Sequence, residues 1–549
     1  MPDTVSGNIR IASKGVSFAI IVATDDDGKE AATSLAKYLN LTTGAVFPIA
    51  ESPAGKTPVT IYVRKNKIGS INAVSKLAEL DAYSITFPDK HSIVIAGNSS
   101  WAVQYGTYDF LERYSGVRWL FPGLVGEHVP FHATMDVPVK NVYMRPRFSS
   151  RLLSGLKEEL EIIWADKNRM RDSGIKFHHN LSALFPTSRF GESNPEFYPL
   201  INGKRFVPGA GVKTGWQPCF SAPGSVQAAA KMIDEYFQEN PDAISYSLGV
   251  NDRGGFCECE RCQRRVNNKV NFLGQPDYSA LYYSWVNAVV TEVLKTYPNK
   301  WFGCLAYSSV ASPPDSFSLH PNVIPYLTSD RLKWLKPDME KREKKINQAW
   351  EEKATTLGWY DYMYGKAYLL PRIYISKMSD YLQYAAEHKV SFLYSEAYPN
   401  WGEGPKLYLA LRMQWDPNVN VKETLKDWYV SAVGEEAAPY LAAYFEFWED
   451  FWVNRATASP WFGTKGPYLN FKSMNYLRIV KNEDFLYCRQ LLDLAKQHAK
   501  TVQQKERAEY FIRSLADYES SVAQAKSLFG KAKKVIGKIK EYADKVTSP

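Results

Sequence analysis

Two acidic residues follow apolar, strand-like runs in this chain, and such a pair could hydrolyse a glycosidic bond. Asp252 follows residues 244–250 after one intervening residue, Asn251, and Glu396 comes directly after residues 390–395. Glycosidases use one carboxyl group to protonate the leaving oxygen and a second to activate water or to attack the anomeric carbon. We therefore predict Asp252 and Glu396 as the catalytic pair.

Two further residues are candidates for the same chemistry. Asp361 follows another apolar run and lies between Tyr360 and Tyr362. His178 ends residues 174–178 and is followed by His179. Neighbouring residues on a strand point to opposite faces, so we expect only one of the two histidines to enter a site. Asp361 and His178 are predicted substitutes for the acid pair, and a turn aspartate or a structural histidine is the alternative for each.

Aromatic and polar residues near the same strand ends are predicted to bind the substrate. Aromatic residues make up 14% of the chain, with 15 Trp and 35 Tyr, and their flat apolar faces suit the C–H face of a sugar. The predicted substrate-binding residues are Arg151, His179, Asn251, Arg253, Tyr307, Tyr360, Tyr362, Tyr398, Asn400 and Trp401.

Four arginines favour an acidic sugar, because a guanidinium can bind a carboxylate through two parallel hydrogen bonds. They are Arg151, Arg169, Arg253 and Arg331. Ion pairs with acids of the protein are the alternative use for them.

Four cysteines could form a separate, structural site. Cys257, Cys259 and Cys262 have the spacing C-x-C-x2-C, and Cys219 precedes the strand that leads to them. Four thiolates are the preferred ligand set of a closed structural Zn²⁺ site. Disulfides remain the alternative for an exported protein. No cofactor is predicted for catalysis.

The elements that must position these residues are read from the apolar periodicity. Strands are predicted at residues 147–153, 174–178, 243–250, 301–307, 323–327, 356–361 and 390–396, alternating with helices. This pattern predicts an α/β fold with a (β/α)8 TIM-like barrel, one strand of which is missed or irregular. We predict three domains: a small α/β domain at residues 1–140, the barrel at 141–430 and a helical domain at 431–549.

Composition excludes other classes of protein. The net charge of +9 is small for 549 residues and is not accompanied by a nucleic-acid motif, so we predict no nucleic-acid partner. No apolar run is long enough to span a membrane. We expect a periplasmic or secreted protein whose export signal is not part of this sequence.

One stretch resembles a known type of domain. Residues 101–122 run from Trp101 through Tyr-Gly and Leu-Glu-Arg to Gly-Val-Arg-Trp-Leu-Phe-Pro, and Gly-Glu-His-Val-Pro follows at 126–130. This stretch resembles the N-terminal domain that precedes the barrel of α-glucuronidases and β-N-acetylhexosaminidases. The resemblance implies a following catalytic barrel.

The barrel region is similar to a bacterial family known as domain of unknown function 4838. The similarity rests on Asn-Pro-Glu-Phe-Tyr-Pro at 194–199, Gln-Pro-Cys-Phe-Ser-Ala-Pro at 217–223 and the run from Gly249 to Cys262. It implies a role in bacterial glycan degradation and a relationship to glycoside hydrolases, without assigned catalytic residues.

These observations predict a glycoside hydrolase that acts on a bacterial, plant or host glycan, with a uronic acid, a sialic acid or an N-acetylhexosamine as the terminal sugar. A non-catalytic glycan-binding protein is one alternative. A lyase or metal-dependent hydrolase that uses His178 or His179 is another.

Overall fold

The computed structural model describes residues 7–53, 58–66, 75–463 and 466–546, with side chains described as far as residue 528. Its first part contains a six-stranded sheet, a three-stranded antiparallel sheet and a short two-stranded ribbon. The strands are β1 Asn8–Ser13, β2 Val16–Ser17, β3 Ala19–Val22, β4 Ile49–Ala50, β5 Val59–Lys65, β6 Tyr83–Asp89, β7 Ser92–Gly97, β8 Arg118–Trp119, β9 Glu127–His128, β10 Thr134–Pro138 and β11 Val142–Met144.

The larger of these sheets has the order β11-β6-β7-β5-β3-β4, and β1 pairs with β10 and β2 in the smaller one. The helices of this part are α1 Asp26–Thr43, α2 Ser75–Glu79 and α3 Ser100–Phe110, and a π-helical turn over Leu111–Ser115 continues α3. The Ser99 side chain caps α3 by accepting the Ala102 N–H at 3.2 Å. Gly116 ends the turn with a φ of 71°, the left-handed conformation that glycine adopts most easily.

The central part is built on a curled, wholly parallel sheet of six strands in the order β12-β19-β18-β17-β16-β15. These strands are β12 Ser150–Leu153, β15 Ser245–Ser247, β16 Trp301–Ala306, β17 Val323–Ser329, β18 Leu357–Asp361 and β19 Val390–Ser395, and a hairpin of β13 Leu200–Ile201 and β14 Lys204–Arg205 lies outside the sheet. The helices of this part are α4 Glu159–Lys167, α5 Leu181–Leu184, α6 Thr187–Phe190, α7 Ser225–Glu239, α8 Glu260–Val266, α9 Ser279–Val293, α10 Pro337–Lys353, α11 Ile375–Glu387 and α12 Lys406–Trp415.

The alternation of strands and helices confirms the α/β class, but the structure does not show eight strands in the described residues. Six of the seven predicted strands belong to the parallel sheet. The seventh prediction, residues 174–178, is wrong, because this segment forms no strand. It runs extended beside the sheet and is held by single bridges, Arg151 with Arg171 near β12 and His179 with Gly249 beyond β15.

The segment 174–178 has an apolar pattern for a reason other than strand pairing. Ile175 and Phe177 are buried, and the ring of Phe177 stacks on Tyr326 with the centroids 3.7 Å apart. The Lys176 carbonyl accepts the Gly303 N–H at 3.1 Å. A Cβ atom on Gly303 would lie 2.4 Å from that carbonyl oxygen, so glycine is required for this close approach. The segment therefore fills the concave face of the curled sheet.

The last part of the described chain contains helices and turns. Its helices are α13 Val421–Val433, α14 Ala438–Asp450, α15 Asn482–His498 and α16 Val502–Val546. Arg507 of α16 donates hydrogen bonds to the carbonyls of Val125 (2.7 Å) and Glu127 (2.6 Å), so the end of the chain is bound to its first part. None of the helices in the described ranges has both the length and the apolar character needed to cross a membrane.

Candidate active site

The concave face of the parallel sheet is lined by tyrosines, because strand alternation directs every second side chain inward. Thr328 of β17, Tyr360 of β18 and Tyr394 of β19 stand side by side in register. The rings of Tyr360 and Tyr394 are 4.6 Å apart between centroids. Two residues earlier on these strands, Tyr326 is in register with Gly358. A Cβ atom added to Gly358 would lie 2.5 Å from the Tyr326 ring.

Glu396 follows β19 on this same face and is held by two tyrosines. The hydroxyls of Tyr360 and Tyr364 each donate a short hydrogen bond to its carboxylate, one to each oxygen. The Glu396 backbone N–H donates to the carbonyl of Asp361 at 2.9 Å. The side chain is partly exposed. Glu396 is thus oriented by hydroxyl groups, with no ion pair to an arginine or lysine among the described residues.

Asp252 lies beyond β15, and its carboxylate accepts a hydrogen bond from the Tyr307 hydroxyl at 3.1 Å. Its side chain is 37% exposed, so one side remains open to solvent. Burial raises the pKa of Tyr307 to about 12, and the negative charges of Asp252 and Glu396 contribute in the same direction. The Tyr307 ring lies 6.4 Å from that of Tyr468, which in turn packs against Tyr362 at 5.0 Å, so aromatic rings connect the surroundings of Asp252 with those of Glu396.

The tyrosines around Asp252 and Glu396 form one group of contacting rings, called the tyrosine cluster below: Tyr307, Tyr360, Tyr362, Tyr364, Tyr394, Tyr398 and Tyr468. The two predicted histidines both lie beside this cluster. The His178 ring packs against Tyr394, with 4.9 Å between centroids, and the His179 ring packs against Tyr307 at 5.7 Å. Partial burial, followed by the nearby His179, lowers the pKa of His178. The expectation that only one histidine would face the site is wrong. It assumed a regular strand, whereas this segment forms none and both rings contact tyrosines of the same face.

The rim of the cluster is also aromatic. Tyr362 packs against Tyr468 with the ring centroids 5.0 Å apart, and the Tyr468 hydroxyl is 2.8 Å from the Thr328 hydroxyl. Tyr398 stacks on Tyr364 at 5.4 Å with an angle of 7° between the rings, and it is 40% exposed. Flat, partly exposed rings of this kind can stack on the apolar face of a sugar.

Asp361 is not part of this cluster. It is in register with Ser395 on the opposite face of the sheet from Tyr360, and only 5% of the residue is exposed. Its carboxylate accepts the Arg331 N–H at 3.1 Å and lies 3.7 Å from the Arg331 guanidinium, which covers the Trp359 ring. The side chain therefore points behind the sheet, since it differs by one position from the inward Tyr360. The prediction of Asp361 as a substitute acid is therefore wrong.

Two of the polar residues predicted to bind substrate are committed to the protein itself. Arg151 is fully buried, pairs with Asp81 at 2.7 Å and covers the Trp415 ring. Asn251 is 1% exposed and donates to the Trp216 carbonyl at 3.0 Å. Arg253, by contrast, has a side chain that is 78% exposed and lies 3.9 Å from Asp252. Of these three, only Arg253 is available to a ligand.

Asn400 and Trp401 line a cavity next to α16. The Trp401 indole donates to Glu161 at 2.8 Å, and its ring packs against Trp164. Asn400 accepts the Gly402 N–H at 3.1 Å through its side chain. Both border a cavity of about 520 Å³ between the 399–401 loop and α16.

Three residues of the cluster were missed in the sequence. Tyr394 lies two positions before Glu396 and Tyr364 two after Tyr362, so the two-residue strand period could have identified Tyr394 and suggested Tyr364. Tyr468 comes from a region remote in the sequence and had no such signal.

The four predicted metal-binding cysteines do come together. The sulfur atoms of Cys219, Cys257, Cys259 and Cys262 all lie within 4.8 Å of one another. Among the residues that the structure describes, they form the only group of three or more His, Cys, Asp or Glu side chains with this spacing.

Comparison with known proteins identifies a family and a fold. A family model described as "Domain of unknown function (DUF4838)" matches residues 121–446, which is more than half of the chain. A search of curated protein sequences found no match. A solved structure of a family GH115 4-O-methyl-α-glucuronidase with specificity for decorated arabinogalactans is similar over 94% of this chain and 73% of that chain, at 11% identity and a TM-score of 0.56.

Two other solved structures are similar at lower TM-scores. A family 89 glycoside hydrolase from Clostridium perfringens is similar over 90% of this chain and 60% of that chain, at 10% identity and a TM-score of 0.49. A GH20 exo-β-N-acetylglucosaminidase from Vibrio harveyi is similar over 77% of this chain and 74% of that chain, at 11% identity and a TM-score of 0.39. The glucuronidase structure is the one of these three with a TM-score above 0.5, and its likeness to this chain shows a shared fold.

Proposed function

We propose that this chain, which belongs to the family described as Domain of unknown function (DUF4838), hydrolyses a glycosidic bond. Asp252 and Glu396 are its two acids. One observation carries the proposal: each carboxylate accepts hydrogen bonds from tyrosine hydroxyls on the concave side of the parallel sheet, Asp252 from Tyr307 and Glu396 from Tyr360 and Tyr364. Reactive groups of barrel enzymes come from this carboxyl end of the strands.

The surroundings of the two acids support different roles. Glu396 receives a hydroxyl hydrogen bond on each oxygen, which fixes the orientation of its carboxylate. We assign Glu396 the role of the group that attacks the anomeric carbon or activates water. Asp252 has one hydroxyl partner and a solvent-exposed side, so it is assigned protonation of the leaving oxygen.

Of the four arginines that favoured an acidic sugar, three are buried in ion pairs and one is exposed. Arg151 pairs with Asp81, Arg169 with Glu112 and Arg331 with Asp361. Arg253 remains exposed beside Asp252. A substrate carboxylate would therefore meet Arg253, and an N-acetylhexosamine, which carries no carboxylate, would not need it.

Turnover of aryl glycosides tests the proposal. The purified chain is assayed against aryl α- and β-glycosides of uronic acids, sialic acid and N-acetylhexosamines. With the substrate that is turned over, Asp252→Asn and Glu396→Gln are each expected to lower kcat by at least about 100-fold, because each removes a proton-transfer or nucleophilic group. Glu436→Gln, which changes a surface ion pair with Lys500, is the matched control and is expected to leave the rate unchanged.

An Arg253→Met variant distinguishes the sugars. With a uronic or sialic acid substrate, it is expected to raise KM, whereas with an N-acetylhexosamine it is expected to change KM little. Full activity of both Asp252→Asn and Glu396→Gln would overturn the two-acid mechanism. Saturable binding of oligosaccharides without turnover would instead support the glycan-binding alternative.

The alternative of a metal-dependent hydrolase or lyase has a clear test in the same assay. His178 and His179 belong to no group of three or more metal-ligating side chains among the described residues. Chelation that leaves any metal at the four cysteines in place, checked by metal analysis of the treated protein, is therefore expected to leave the initial rate unchanged. The proposal includes a glycan partner, a periplasmic or secreted location and no nucleic-acid partner.

A further inference from the structure

We propose that Cys219, Cys257, Cys259 and Cys262 bind one structural Zn²⁺ ion, which fastens the loop that carries Asp252. This site is independent of the proposed hydrolase activity, and its test requires no substrate.

The distances between sulfur atoms fit a shared ion. The Cys219 Sγ lies 3.7 Å from the Cys259 Sγ and 3.8 Å from the Cys262 Sγ. Four sulfurs placed tetrahedrally at the usual Zn–S distance of about 2.3 Å are about 3.8 Å apart. Bonded sulfurs of a disulfide are about 2.05 Å apart. The cluster therefore has the spacing of a tetrathiolate site rather than that of two disulfides.

The elements around the cysteines also suit a closed site. Cys257 follows the Asp252 loop, Cys259 precedes the first residue of α8, and Cys262 lies in the first turn of that helix. Cys219, Cys257 and Cys262 are buried, and Cys259 is partly exposed. A structural zinc site needs four ligands and no open position for water, and this arrangement provides both.

Hydrogen-bond donors surround the sulfurs, as thiolates require. The Leu200 N–H donates to the Cys257 Sγ at 3.2 Å, and an Arg205 guanidinium nitrogen lies 4.0 Å from the same sulfur. The Ser221 hydroxyl lies 2.9 Å from the Cys262 Sγ. Four thiolates and one Zn²⁺ carry two net negative charges, which these donors would stabilise.

The site is joined to the Asp252 loop by a short chain of hydrogen bonds. Gln217, two residues before Cys219, donates through its side chain to the carbonyls of Asn251 (2.7 Å) and Gly254 (3.0 Å). The Gly215 N–H donates to the Asp252 carbonyl at 2.7 Å. These hydrogen bonds hold one end of the contact between residues 215–219 and 251–257. A metal ion bound by both Cys219 and Cys257 would hold the other end.

Metal content is the first measurement. The full chain, purified under reducing conditions without added metal chelators, is expected to contain about one zinc ion per molecule by elemental analysis. Replacement of zinc by Co²⁺ is expected to produce the intense visible absorption of a tetrahedral cobalt–thiolate complex. A zinc content near zero, together with no cobalt spectrum, would overturn the proposal.

Cysteine variants provide the second measurement. Cys262→Ser is expected to lose most of the bound zinc and to unfold at a lower temperature than the parent. Cys488→Ala changes a buried cysteine of α15 outside the cluster and is expected to keep its zinc, so it controls for the loss of any cysteine. If Cys262→Ser does not fold, titration of the parent with a mercurial reagent replaces it, with zinc released as the thiols react.

Intact mass distinguishes the remaining alternative. A tetrathiolate site gives the mass of the fully reduced chain after denaturation and removal of the metal. A mass lower by two hydrogens for each bond, found on a chain purified without reductant, would show disulfides at these cysteines and would also overturn the proposal.

Discussion

At the residue scale, the site depends on which face of a strand each side chain occupies. Glu396 and Asp252 could be predicted because each lies at the end of an apolar run, and in the structure each accepts hydrogen bonds from tyrosine hydroxyls. Asp361 follows a run as well, yet it is one position away from the inward Tyr360 and pairs with Arg331 behind the sheet. The two-residue alternation of a strand can be read from the sequence. The sequence alone does not indicate which set of alternate side chains faces inward.

The tyrosine hydroxyls on Glu396 give a prediction at this scale. Tyr360→Phe and Tyr364→Phe each remove one donor to the Glu396 carboxylate while retaining the ring. A hydrogen bond to a charged group contributes about 1.5–3 kcal/mol, so each change is expected to lower kcat/KM by about 10- to 100-fold.

The measurement is steady-state kinetics on the aryl glycoside that the parent hydrolyses. Tyr143→Phe, which removes the hydroxyl of a ring that is 64% exposed, is the matched control. Unchanged kcat/KM in both Tyr360→Phe and Tyr364→Phe would show that these hydroxyls do not act through Glu396.

At the element scale, the apolar runs identified six strands of the parallel sheet, and one run was misassigned. Residues 174–178 have a strand-like pattern because Ile175 and Phe177 fill the concave face of the sheet. Burial of alternate side chains is common to both situations, so the pattern cannot distinguish a strand from a segment that lies against one. The number of strands therefore depended on pairing, which only the structure reveals.

The contact of this segment with β16 gives a prediction about stability. A Cβ on Gly303 would lie 2.4 Å from the Lys176 carbonyl oxygen and 2.6 Å from the Phe177 Cβ. Gly303→Ala is therefore expected to lower the free energy of unfolding by about 1–3 kcal/mol, the usual cost of overpacking. Chemical denaturation followed by tryptophan fluorescence measures this change.

A second glycine is a matched control for that experiment. An added Cβ on Gly463 would meet no atom closer than 3.6 Å, so Gly463→Ala is expected to leave the stability nearly unchanged. Equal stability of Gly303→Ala and the parent would mean that residues 174–178 can move away from the sheet at little cost.

At the scale of the whole molecule, a buried ion network explains part of the sequence signature at residues 101–122. Glu112 binds Arg169 at 2.6 Å and also binds Arg412 of α12. Burial would raise the pKa of Glu112, but these two guanidinium groups hold it at about 2. The Leu-Glu-Arg motif thus joins the first part of the chain to the parallel-sheet part, a contact between residues so far apart in sequence that periodicity does not indicate it.

His128 gives a pH prediction for the same junction. Partial burial, followed by the charges of Arg507 and Arg118, lowers the pKa of His128 from 6.5 to about 4. Between about pH 6.5 and pH 4 the unfolded chain binds a proton that the folded chain does not, so the contribution of a neutral His128 to stability is lost as the pH falls. His128→Gln is expected to remove this loss, on the order of 2 kcal/mol.

Urea denaturation at several pH values across this window measures the difference. The stability of the parent is expected to decrease more steeply toward low pH than that of His128→Gln. His91→Gln, at an exposed histidine, should retain the steep decrease. Parallel curves for the parent and His128→Gln would contradict the assigned pKa of His128.

The hydrogen bonds from Arg507 affect the order in which the protein matures during synthesis. The carbonyls of Val125 and Glu127 receive their guanidinium donor from a residue that the ribosome adds about 380 positions later. Until that residue leaves the exit tunnel, these carbonyls lack the guanidinium that donates to them in the folded protein. Synthesis of α16 is therefore required before residues 125–127 have all of the hydrogen-bond donors that the folded protein gives them.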